Sequence, residues 1–408
     1  MELLAPAGNL EKLKYAYLYG ADAAYIGISS FSLRSRAENF SGDQWREIAR
    51  IKGRKKLYGA INIFFHNDDL RQLEENREYL SLYPLDAIIV SDLGAYTLLR
   101  RLFPEQRFHL STQANCINRE AARLYYDLGF SRVILGRETS LSEIREIKDT
   151  VPELELEAFV HGAMCLAYSG RCFLSSYMAG RSANQGDCTH SCRWNYRVLE
   201  EKQRPGEYYP VLENPEEGYT TILSSKDLCM FDHIEELRRA GLDSVKIEGR
   251  MKSLYYTAVV TRSYRKALDT LGERDNADGA ELDAYRQELY KVSRREFSTG
   301  FYFGLRDADQ TTSLSYHRRY QFLGTLGPML ANGRYQLDVK NQIRSGQEIE
   351  YIGPDILFRK DRHFKLYDEE GRAVEKADHG RSYSIETSVP VEEGYILRQK
   401  TERSTEPA

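Results

Sequence analysis

Short apolar segments recur between Glu2 and Ile247, and longer segments of helical periodicity separate them. Several, such as those within DAIIVSD and SRVILGR, are continuously apolar, which is typical of parallel strands covered on both faces. Eight strand–helix units in this order predict an α/β fold with a TIM-barrel-like (β/α)8 domain, and a doubly wound open sheet is the alternative. The eight segments are Glu2 to Leu4, Ala24 to Ile28, Leu57 to Ile63, Ala87 to Val90, Phe108 to Ser111, Arg132 to Leu135, Leu156 to Val160 and Ser244 to Ile247.

The helices between these strands carry recognisable end signals. Asn9 can cap LEKLKYAYLYG, and Ser140 opens LSEIREIKD with Glu143 three residues later, which is the pattern of a capping box. Leu254 to Thr270 is predicted as the closing helix, and Asp278 to Val292 as a further helix.

The pattern changes near Tyr320, where apolar and polar residues begin to alternate with period two between turn signals. We therefore predict that residues 1–310 form the barrel domain and residues 318–402 an independent, small antiparallel β-barrel domain. Residues 403–408 are predicted to be a disordered tail.

The segment between the seventh and eighth predicted strands is longer than a barrel requires. Residues 157–225 form a cysteine-rich insertion that includes the polar excursion EEKQRPGEYYPVLENPEEGY. Long insertions in compact domains are usually functional or disordered. This one follows the carboxyl end of a strand, the end at which barrel enzymes build their active sites.

Four of the six cysteines lie in this insertion: Cys165, Cys172, Cys188 and Cys192, with the spacing C-x6-C-x15-C-x3-C. Interleaved glycines permit the tight turns that would bring them around one metal centre. Structural zinc usually takes two close pairs, so the spacing favours an iron–sulfur cluster held by thiolates from separate turns. Zinc and simple burial of the thiols are the alternatives. Disulfides are the least expected, because the chain opens MELLAPAG without a secretory leader and a cytoplasmic protein keeps its thiols reduced.

The other two cysteines have different expectations. Cys116 follows STQAN at the predicted mouth and is expected to be a buried hydrophobic side chain or a pocket thiol. Cys229 is expected to pack from an amphipathic helix, SKDLCMFDHIEELR, and is the substitute if one of the four proposed ligands is wrong.

Polar side chains follow the predicted strands, where the mouth of a barrel would lie. We take Gln113, Arg137, His161 and Glu248 as the candidate catalytic residues; for His161 a structural hydrogen bond is equally compatible with the sequence. The wider set is Pro6, Ala7, Asn62, Ser91, Asp92, Gln113, Asn115, Arg137, Glu138, His161, Glu248 and Arg250.

Net charge, hydropathy and missing motifs exclude several classes of protein. The 408 residues carry a net charge of −4, which argues against a protein coated in positive charge but leaves room for a local basic patch that binds RNA. No apolar run approaches the ~20 residues that span a bilayer, so a membrane protein is not expected. Ser-His-Asp order, an H-E-x-x-H zinc motif and a Walker A loop are all missing from the sequence. Basic residues cluster in RIKGRKK, at Arg34 and Arg36, at Arg294 and Arg295, at Arg318 and Arg319, and in FRKDRHFK.

Long motifs of this chain resemble the peptidase U32 family. They are EAFVHGAMCLAYSGRCFLSS from Glu157 to Ser176, the opening ELLAPAG, SCRWNY from Ser191 to Tyr196, and KIEGRMKS from Lys246 to Ser253. Members of this family are associated with oxygen-independent hydroxylation of tRNA wobble uridine, ribosomal RNA cytidine or ubiquinone precursors. The resemblance implies a [4Fe-4S] cluster on Cys165, Cys172, Cys188 and Cys192.

A barrel with one small C-terminal domain most resembles the member that converts the wobble uridine of tRNA to 5-hydroxyuridine. The resemblance then implies an enzyme of the cytoplasm that acts on the anticodon region of tRNA, with prephenate as the small-molecule source of the hydroxyl group. Iron–sulfur assembly machinery is a further expected partner. The alternatives are a collagenase-like U32 peptidase and a non-catalytic RNA-binding iron–sulfur protein.

Overall fold

The computed structural model describes residues 1–28, 31–32, 40, 42–165, 167–172, 174–179, 181–185, 187–189, 191–193, 212–214, 219–221, 225–271, 279–304 and 319–401. The predicted linker around residues 305–318, most of the polar excursion and the tail after residue 401 lie outside these ranges. Among the described residues, no helix combines the length and the apolar character needed to cross a bilayer.

Eight parallel strands close into a barrel, which confirms the TIM-type prediction and excludes the open sheet. The eight are β1 to β7 in sequence order and β11, which pairs in parallel with both β7 and β1. The strands of this part of the chain are β1 (Glu2–Ala7), β2 (Ala23–Gly27), β3 (Lys56–Ile61), β4 (Ala87–Val90), β5 (Phe108–Leu110), β6 (Arg132–Ile134), β7 (Glu155–Ala163), β8 (Leu212–Asn214), β9 (Tyr219–Thr221), β10 (Asp227–Cys229), β11 (Ser244–Ile247) and β12 (Phe297–Ser298).

The helices begin where the capping signals predict. The Asn9 side chain accepts a hydrogen bond from the backbone N–H of Lys12, and Ser140 and Glu143 form the predicted capping box. The helices are α1 (Leu10–Leu18), α2 (Trp45–Lys52), α3 (Asn67–Glu75), α4 (Arg77–Ser81), α5 (Leu93–Leu102), α6 (Arg119–Asp127), α7 (Leu141–Thr150), α8 (Leu174–Ala179), α9 (Ile234–Arg239), α10 (Leu254–Asp269) and α11 (Gly279–Leu289).

Near the amino ends of the strands, the barrel interior holds a buried ion network. Arg132 donates from Nη1 to Glu2 at 2.6 Å and to Glu157 at 2.9 Å, and the Nζ of Lys246 lies 3.0 Å from the other oxygen of Glu157. Burial alone would raise the pKa of Glu2, but its bonds to Arg132 and Lys56 lower that pKa to about 2. The network therefore pairs these buried charges with one another inside the barrel.

Strand β10 corrects the prediction for Cys229. The structure places this residue on a strand that pairs antiparallel with the end of β7, opposite His161, and the helix begins only at Ile234. Strand β7 is nine residues long and runs past its barrel neighbours, so its free edge offers backbone hydrogen bonds to the returning chain. Tertiary pairing thus overrides the helical pattern of this segment.

The C-terminal residues form an antiparallel β domain, as the period-two pattern predicts. Eight strands make one half-barrel sheet in the order β17-β16-β22-β13-β14-β21-β18-β19, and β15 pairs with β20. The strands are β13 (Tyr320–Met329), β14 (Tyr335–Val339), β15 (Ile343–Arg344), β16 (Ile349–Ile352), β17 (Arg359–Asp361), β18 (Lys365–Tyr367), β19 (Ala373–Val374), β20 (Lys376–Ala377), β21 (Tyr383–Glu386) and β22 (Ile396–Lys400).

This β domain is joined to the barrel helices by buried polar contacts. Arg398 on β22 donates from both Nη groups to Glu288 on α11, at 2.6 and 3.0 Å, and from Nε to Glu350 at 2.8 Å. Arg262 on α10 donates to Glu288 at 3.0 Å, and the hydroxyl of Tyr19 donates to the backbone oxygen of Ile352 at 2.9 Å. The β domain and the barrel therefore each supply buried charges that are paired only when the two parts are in contact.

Candidate active site

A cavity of about 340 Å³ lies at the carboxyl ends of the barrel strands. Four side chains from alternate strands line it, namely Tyr25 (β2), Ile89 (β4), Ile134 (β6) and Lys246 (β11), an arrangement typical of a barrel-interior layer. Loop residues after the strands complete the lining: Asn62, Ser111, Thr112, Gln113, Arg137, Glu248 and Arg250, with Cys165, Cys172, Cys188 and Cys192 from the insertion.

Three of the four predicted catalytic residues, Gln113, Arg137 and Glu248, come together here. The guanidinium of Arg137 lies over the ring of Phe159, 4.1 Å from its centroid, and its Nη2 is 3.7 Å from Oε2 of Glu248. That distance is an ion-pair contact and is too long for a hydrogen bond. The Arg137 side chain is nevertheless only 7% exposed, so its charge is largely withdrawn from water.

The fourth predicted residue, His161, is not among the residues that line the cavity, and its expected place at the mouth was wrong. Its ring is 1% exposed and packs against the rings of Tyr264 and Phe297, with Nδ1 3.4 Å from the Tyr264 hydroxyl. Burial lowers the pKa of His161 to about 3, so the imidazole is neutral at physiological pH. The glycine that follows, Gly162, has φ +107° and brings the backbone against Glu248, where a Cβ would lie 2.5 Å from the Glu248 carbonyl oxygen.

The first half of the cysteine-rich insertion is anchored by Glu138. Its Oε1 accepts a hydrogen bond from the backbone N–H of Ser169 at 2.9 Å, and its Oε2 accepts one from Nδ2 of Asn115 at 3.2 Å. Gly170 then passes so close to Gln113 that a Cβ would lie 2.1 Å from the Gln113 carbonyl oxygen, and its φ of +74° also favours glycine. These contacts hold the chain between Cys165 and Cys172 against the barrel mouth.

The second half is held by small hydroxyl side chains. Ser175, which is buried, accepts a hydrogen bond from the backbone N–H of Thr189 at 3.2 Å, and its hydroxyl lies 3.7 Å from the sulfur of Cys188. The backbone N–H of Phe64, after strand β3, donates to the carbonyl of Asn184 at 3.1 Å. The second pair of cysteines is thereby brought to the cavity that already holds the first pair.

The donor set fits a cluster held by thiolates. All six cysteines are described and none forms a disulfide, and the four of the insertion face one cavity. In the described ranges, no three histidine, cysteine or acidic side chains are close enough together to hold one metal ion. Four thiols on one cavity match the number and type of side chains that would hold a [4Fe-4S] cluster.

The remaining cysteines differ in their surroundings. Cys116 is buried and Cys229 packs against the Tyr264 hydroxyl, and neither is among the cavity-lining residues. Burial raises the pKa of Cys116 to about 12 and that of Cys229 to about 11, which disfavours the thiolate that a metal binds. Their environment therefore matches the expectation of core packing.

Two residues that matter at this site were not chosen from the sequence. Glu138 stood only in the wider list, although it anchors the insertion. Lys246 was overlooked, although its Nζ lies 4.4 Å from the centroid of Tyr25 and borders the cavity. The signal lay in the spacing, because Lys246 is two residues before the chosen Glu248, and alternate residues of an extended chain point to the same side.

The sequence profile that describes peptidase family U32 matches residues 8–312, and that of the family's C-terminal domain matches residues 318–398. The chain belongs to peptidase family U32. Among its curated U32 relatives, the tRNA hydroxylation protein P1 of Bacillus subtilis is 38% identical over 383 residues, covering 93% of this chain and 89% of the relative. The tRNA hydroxylation protein P of Escherichia coli is 38% identical over 399 residues, covering 86% of each chain.

A relative that is named for ribosomal RNA is less similar to this chain than the two tRNA proteins. The 23S rRNA 5-hydroxycytidine C2501 synthase of Escherichia coli is 34% identical over 319 residues, which is 76% of this chain but only 46% of the relative. The likeness to the two tRNA proteins extends over most of both chains, whereas more than half of the ribosomal RNA enzyme has no counterpart here.

Proposed function

We propose that this protein is a tRNA-modifying enzyme that hydroxylates C5 of the wobble uridine, without molecular oxygen, to give 5-hydroxyuridine. The observation that carries the proposal is the convergence of four cysteines with Gln113, Arg137 and Glu248 on one barrel-mouth cavity. The names of the two tRNA hydroxylation proteins, which are similar to this chain over most of their length, support tRNA as the substrate.

The cofactor in this proposal is a [4Fe-4S] cluster held by Cys165, Cys172, Cys188 and Cys192. When bound, such a cluster supplies one-electron chemistry that amino-acid side chains lack. We propose prephenate as the source of the hydroxyl group, with the protein acting in the cytoplasm and receiving its cluster from iron–sulfur assembly machinery.

The chain's own residues would bind and orient the reactants. A cavity of about 340 Å³ is at the lower end of the size usual for small-molecule sites, so it suits one small acid or one base that has left its stack. The anticodon is single-stranded, and a single-stranded base can be turned into such a cavity at little cost. Gln113 offers an amide that can pair with a base edge, and Glu248 offers a carboxylate that can take up a proton near the reacting atoms.

Part of the expected basic surface is not available to RNA. Arg295 is buried and pairs with Asp227 at 2.7 Å, and Arg294 is also buried, so this basic cluster of the sequence is structural and does not offer its charges to RNA phosphates. Lys360 and Arg362 in the β domain are exposed but share Glu348. Arg34, Arg36 and Arg318 lie outside the described residues. Whichever cations bind phosphate, we expect tRNA affinity to fall steeply with added salt.

The deciding experiment measures 5-hydroxyuridine by mass spectrometry of tRNA nucleosides. A strain that lacks this protein should lose the nucleoside under anaerobic growth, and the wild-type gene should restore it. Serine variants of the four cavity cysteines should neither restore it nor retain iron when purified anaerobically, whereas Cys116→Ser should do both. Unchanged 5-hydroxyuridine in the deletion strain, with no second hydroxylation enzyme present, would reject the proposal.

The family's description keeps a peptidase as the second candidate. Hydrolysis of collagen-derived peptides by metal-replete protein would support it, and loss of that hydrolysis in a cavity variant such as Glu248→Gln would locate the activity. The names of the Bacillus subtilis and Escherichia coli tRNA hydroxylation proteins favour RNA hydroxylation over peptidase activity.

A further inference from the structure

The guanidinium of Arg137 is a hydrogen-bonding group of the cavity whose donors are largely unused by the described residues. Its Nε is buried and has no acceptor in the described part of the chain. Its backbone N–H donates to Ser169, but no described acceptor takes a hydrogen bond from its guanidinium, since Glu248 is 3.7 Å away. A guanidinium carries five N–H donors and keeps its charge at any physiological pH.

Other arginines also have a buried Nε without an acceptor, yet they differ from Arg137 in the rest of the side chain. Arg262 donates from Nη1 to the Gly353 carbonyl at 2.8 Å and from Nη2 to Glu288 at 3.0 Å. Arg265 pairs with Asp22 at 2.9 Å, and Arg294 donates to the Arg295 carbonyl at 3.0 Å. In each of these, the protein itself supplies acceptors at short range. For Arg137 the cavity is where an acceptor can be added.

The surroundings of Arg137 select the kind of acceptor. The ring of Phe159 covers one face of the guanidinium, so its hydrogen bonds must form in the plane of the group. A planar guanidinium matches the two oxygens of a carboxylate in a bidentate pair. Phe159, Ile134 and Ala60 line the same cavity and are apolar, which suits a hydrocarbon body attached to that carboxylate.

We propose that Arg137 binds the carboxylate of a small organic acid in this cavity, with the apolar body of the acid against Phe159 and Ile134. The inference rests on the proposed function in one respect, that the cavity takes a small-molecule co-substrate as well as a base. It adds the residue that recognises the carboxylate of that molecule and the apolar side chains that hold its body. Arg137 is thereby a binding residue for the acid.

A phosphate of the RNA backbone fits this position less well. The Arg137 side chain is 7% exposed and lies among cavity-lining residues, whereas backbone phosphates stay on the outside of a strand whose base enters a pocket. The apolar lining beside Arg137 would also gain nothing from a phosphodiester. Loss of RNA affinity is therefore the rival outcome in the test.

Calorimetry on the anaerobically purified full-length protein tests the inference with three probes: phenylpyruvate, its methyl ester and prephenate. The two acids should bind wild-type protein, and the ester should bind at least about 10-fold more weakly, because it lacks the charge that strengthens the hydrogen bonds. Arg137→Gln should weaken binding of both acids by about 10-fold or more. Arg137→Lys should bind both acids with an affinity between those of wild type and Arg137→Gln, because lysine keeps the charge but lacks the planar pair of donors.

Arg145→Gln is the matched control, since this exposed arginine lies on α7, the helix that follows the same loop. It should bind the acids as wild-type protein does. As a measurement that needs no variant, phenylpyruvate should protect Arg137 of the wild type from phenylglyoxal, as read by peptide mass spectrometry, while Arg145 continues to react.

Equal affinity of wild type and Arg137→Gln for both acids would overturn the inference, and so would the absence of binding to wild type. Loss of tRNA affinity in Arg137→Gln with unchanged acid binding would assign the residue to phosphate instead. If the acids bind through Arg137 but the deletion strain keeps its 5-hydroxyuridine, the proposed function fails and the carboxylate site stands.

Discussion

Two buried arginines show how differently this protein pairs its internal charges. Arg398, at the junction of the two domains, is fully buried and donates three hydrogen bonds of 2.6 to 3.0 Å to Glu288 and Glu350. Arg137, in the cavity, stands 3.7 Å from Glu248 and donates no hydrogen bond from its guanidinium to a described acceptor. Removing a charge from water is costly, and only short, well-aligned partners offset that cost.

The difference separates a structural charge from a functional one. The Arg398 network is complete within the chain, so its role is to fix the β domain on the barrel. Among the described residues, the Arg137 guanidinium has no acceptor at hydrogen-bond distance, which is the condition in which a ligand can supply one. The predictions below test this contrast with variants that remove one partner at a time.

The largest effect is expected at the junction. Arg398→Met should lower the free energy of unfolding by about 3–5 kcal/mol, because Glu288 would stay buried without its principal partner. The same substitution should make the loss of stability in acid shallower. Burial would raise the pKa of Glu288, but Arg398 helps to hold it below its ordinary value, so in wild-type protein this stabilisation is present above that ordinary pKa and is lost as the pH falls, and the variant has less of it to lose. Denaturant titration measures both.

Arg372→Met is the control for that variant. Arg372 is a largely exposed arginine of the same β domain whose Nε lies 2.9 Å from Asp368, and its loss should change the free energy of unfolding by less than about 1 kcal/mol. Equal effects of the two substitutions would show that burial at the junction does not matter. Removal of the residues beyond 318 would also leave Glu288 buried without Arg398. Such a truncation is therefore a poor test of whether the β domain binds tRNA.

The second prediction concerns His161, whose buried ring is neutral. Because its pKa is lowered from 6.5 to about 3, its contribution to stability is present above pH 6.5 and is lost as the pH falls towards 3. His161→Gln should remove a pH-dependent loss on the order of 2 kcal/mol between pH 7 and pH 5. His109, whose pKa burial also lowers, remains in both proteins, so the difference between their pH profiles isolates His161. If stability depended on pH in the same way in wild type and in His161→Gln, the prediction that His161 is buried in its neutral form would be wrong.

Much of the fold could be predicted because its signals are local. Strands of a closed parallel barrel are covered on both faces, and they therefore read as continuous apolar runs such as AIIV on β4. Helix starts at Asn9 and Ser140 depend on side chains within three residues of the cap. The cavity cysteines and Arg137 were also predictable, because residues after parallel strands gather at one end of a barrel.

The predictions that failed concern residues whose positions depend on contacts with residues distant in sequence. His161 directly follows the predicted strand, but in the structure it lies within β7, which is irregular where Lys246 and Ile247 pair with it, and its ring packs against helix α10. Arg295 reads as a surface cation until Asp227, 68 residues away, is seen beside it. Single-sequence patterns give the direction of a side chain only while the element stays regular.

The third prediction tests whether Glu138 positions the cysteine-rich insertion. Glu138→Gln removes the charge that accepts the Ser169 and Asn115 hydrogen bonds, at a cost of about 1–3 kcal/mol confined to this segment. Cys165 and Cys172 should then alkylate faster in cluster-free protein, as read by mass spectrometry, whereas the rate at buried Cys116 should not change. A uniform increase at all three thiols would indicate global destabilisation instead.

The smallest stability effect is expected at Arg137, and it completes the contrast with Arg398. Arg137→Met keeps the aliphatic stem over Phe159 and removes a guanidinium that has no short partner, so the free energy of unfolding should change by less than about 1 kcal/mol. Saturating phenylpyruvate should stabilise wild-type protein and leave this variant unchanged, because only a bound ligand adds stability to the folded state. A loss of 3 kcal/mol or more in the absence of ligand would place Arg137 beside Arg398 as a structural charge, and the cavity would then need another residue to recognise an acid.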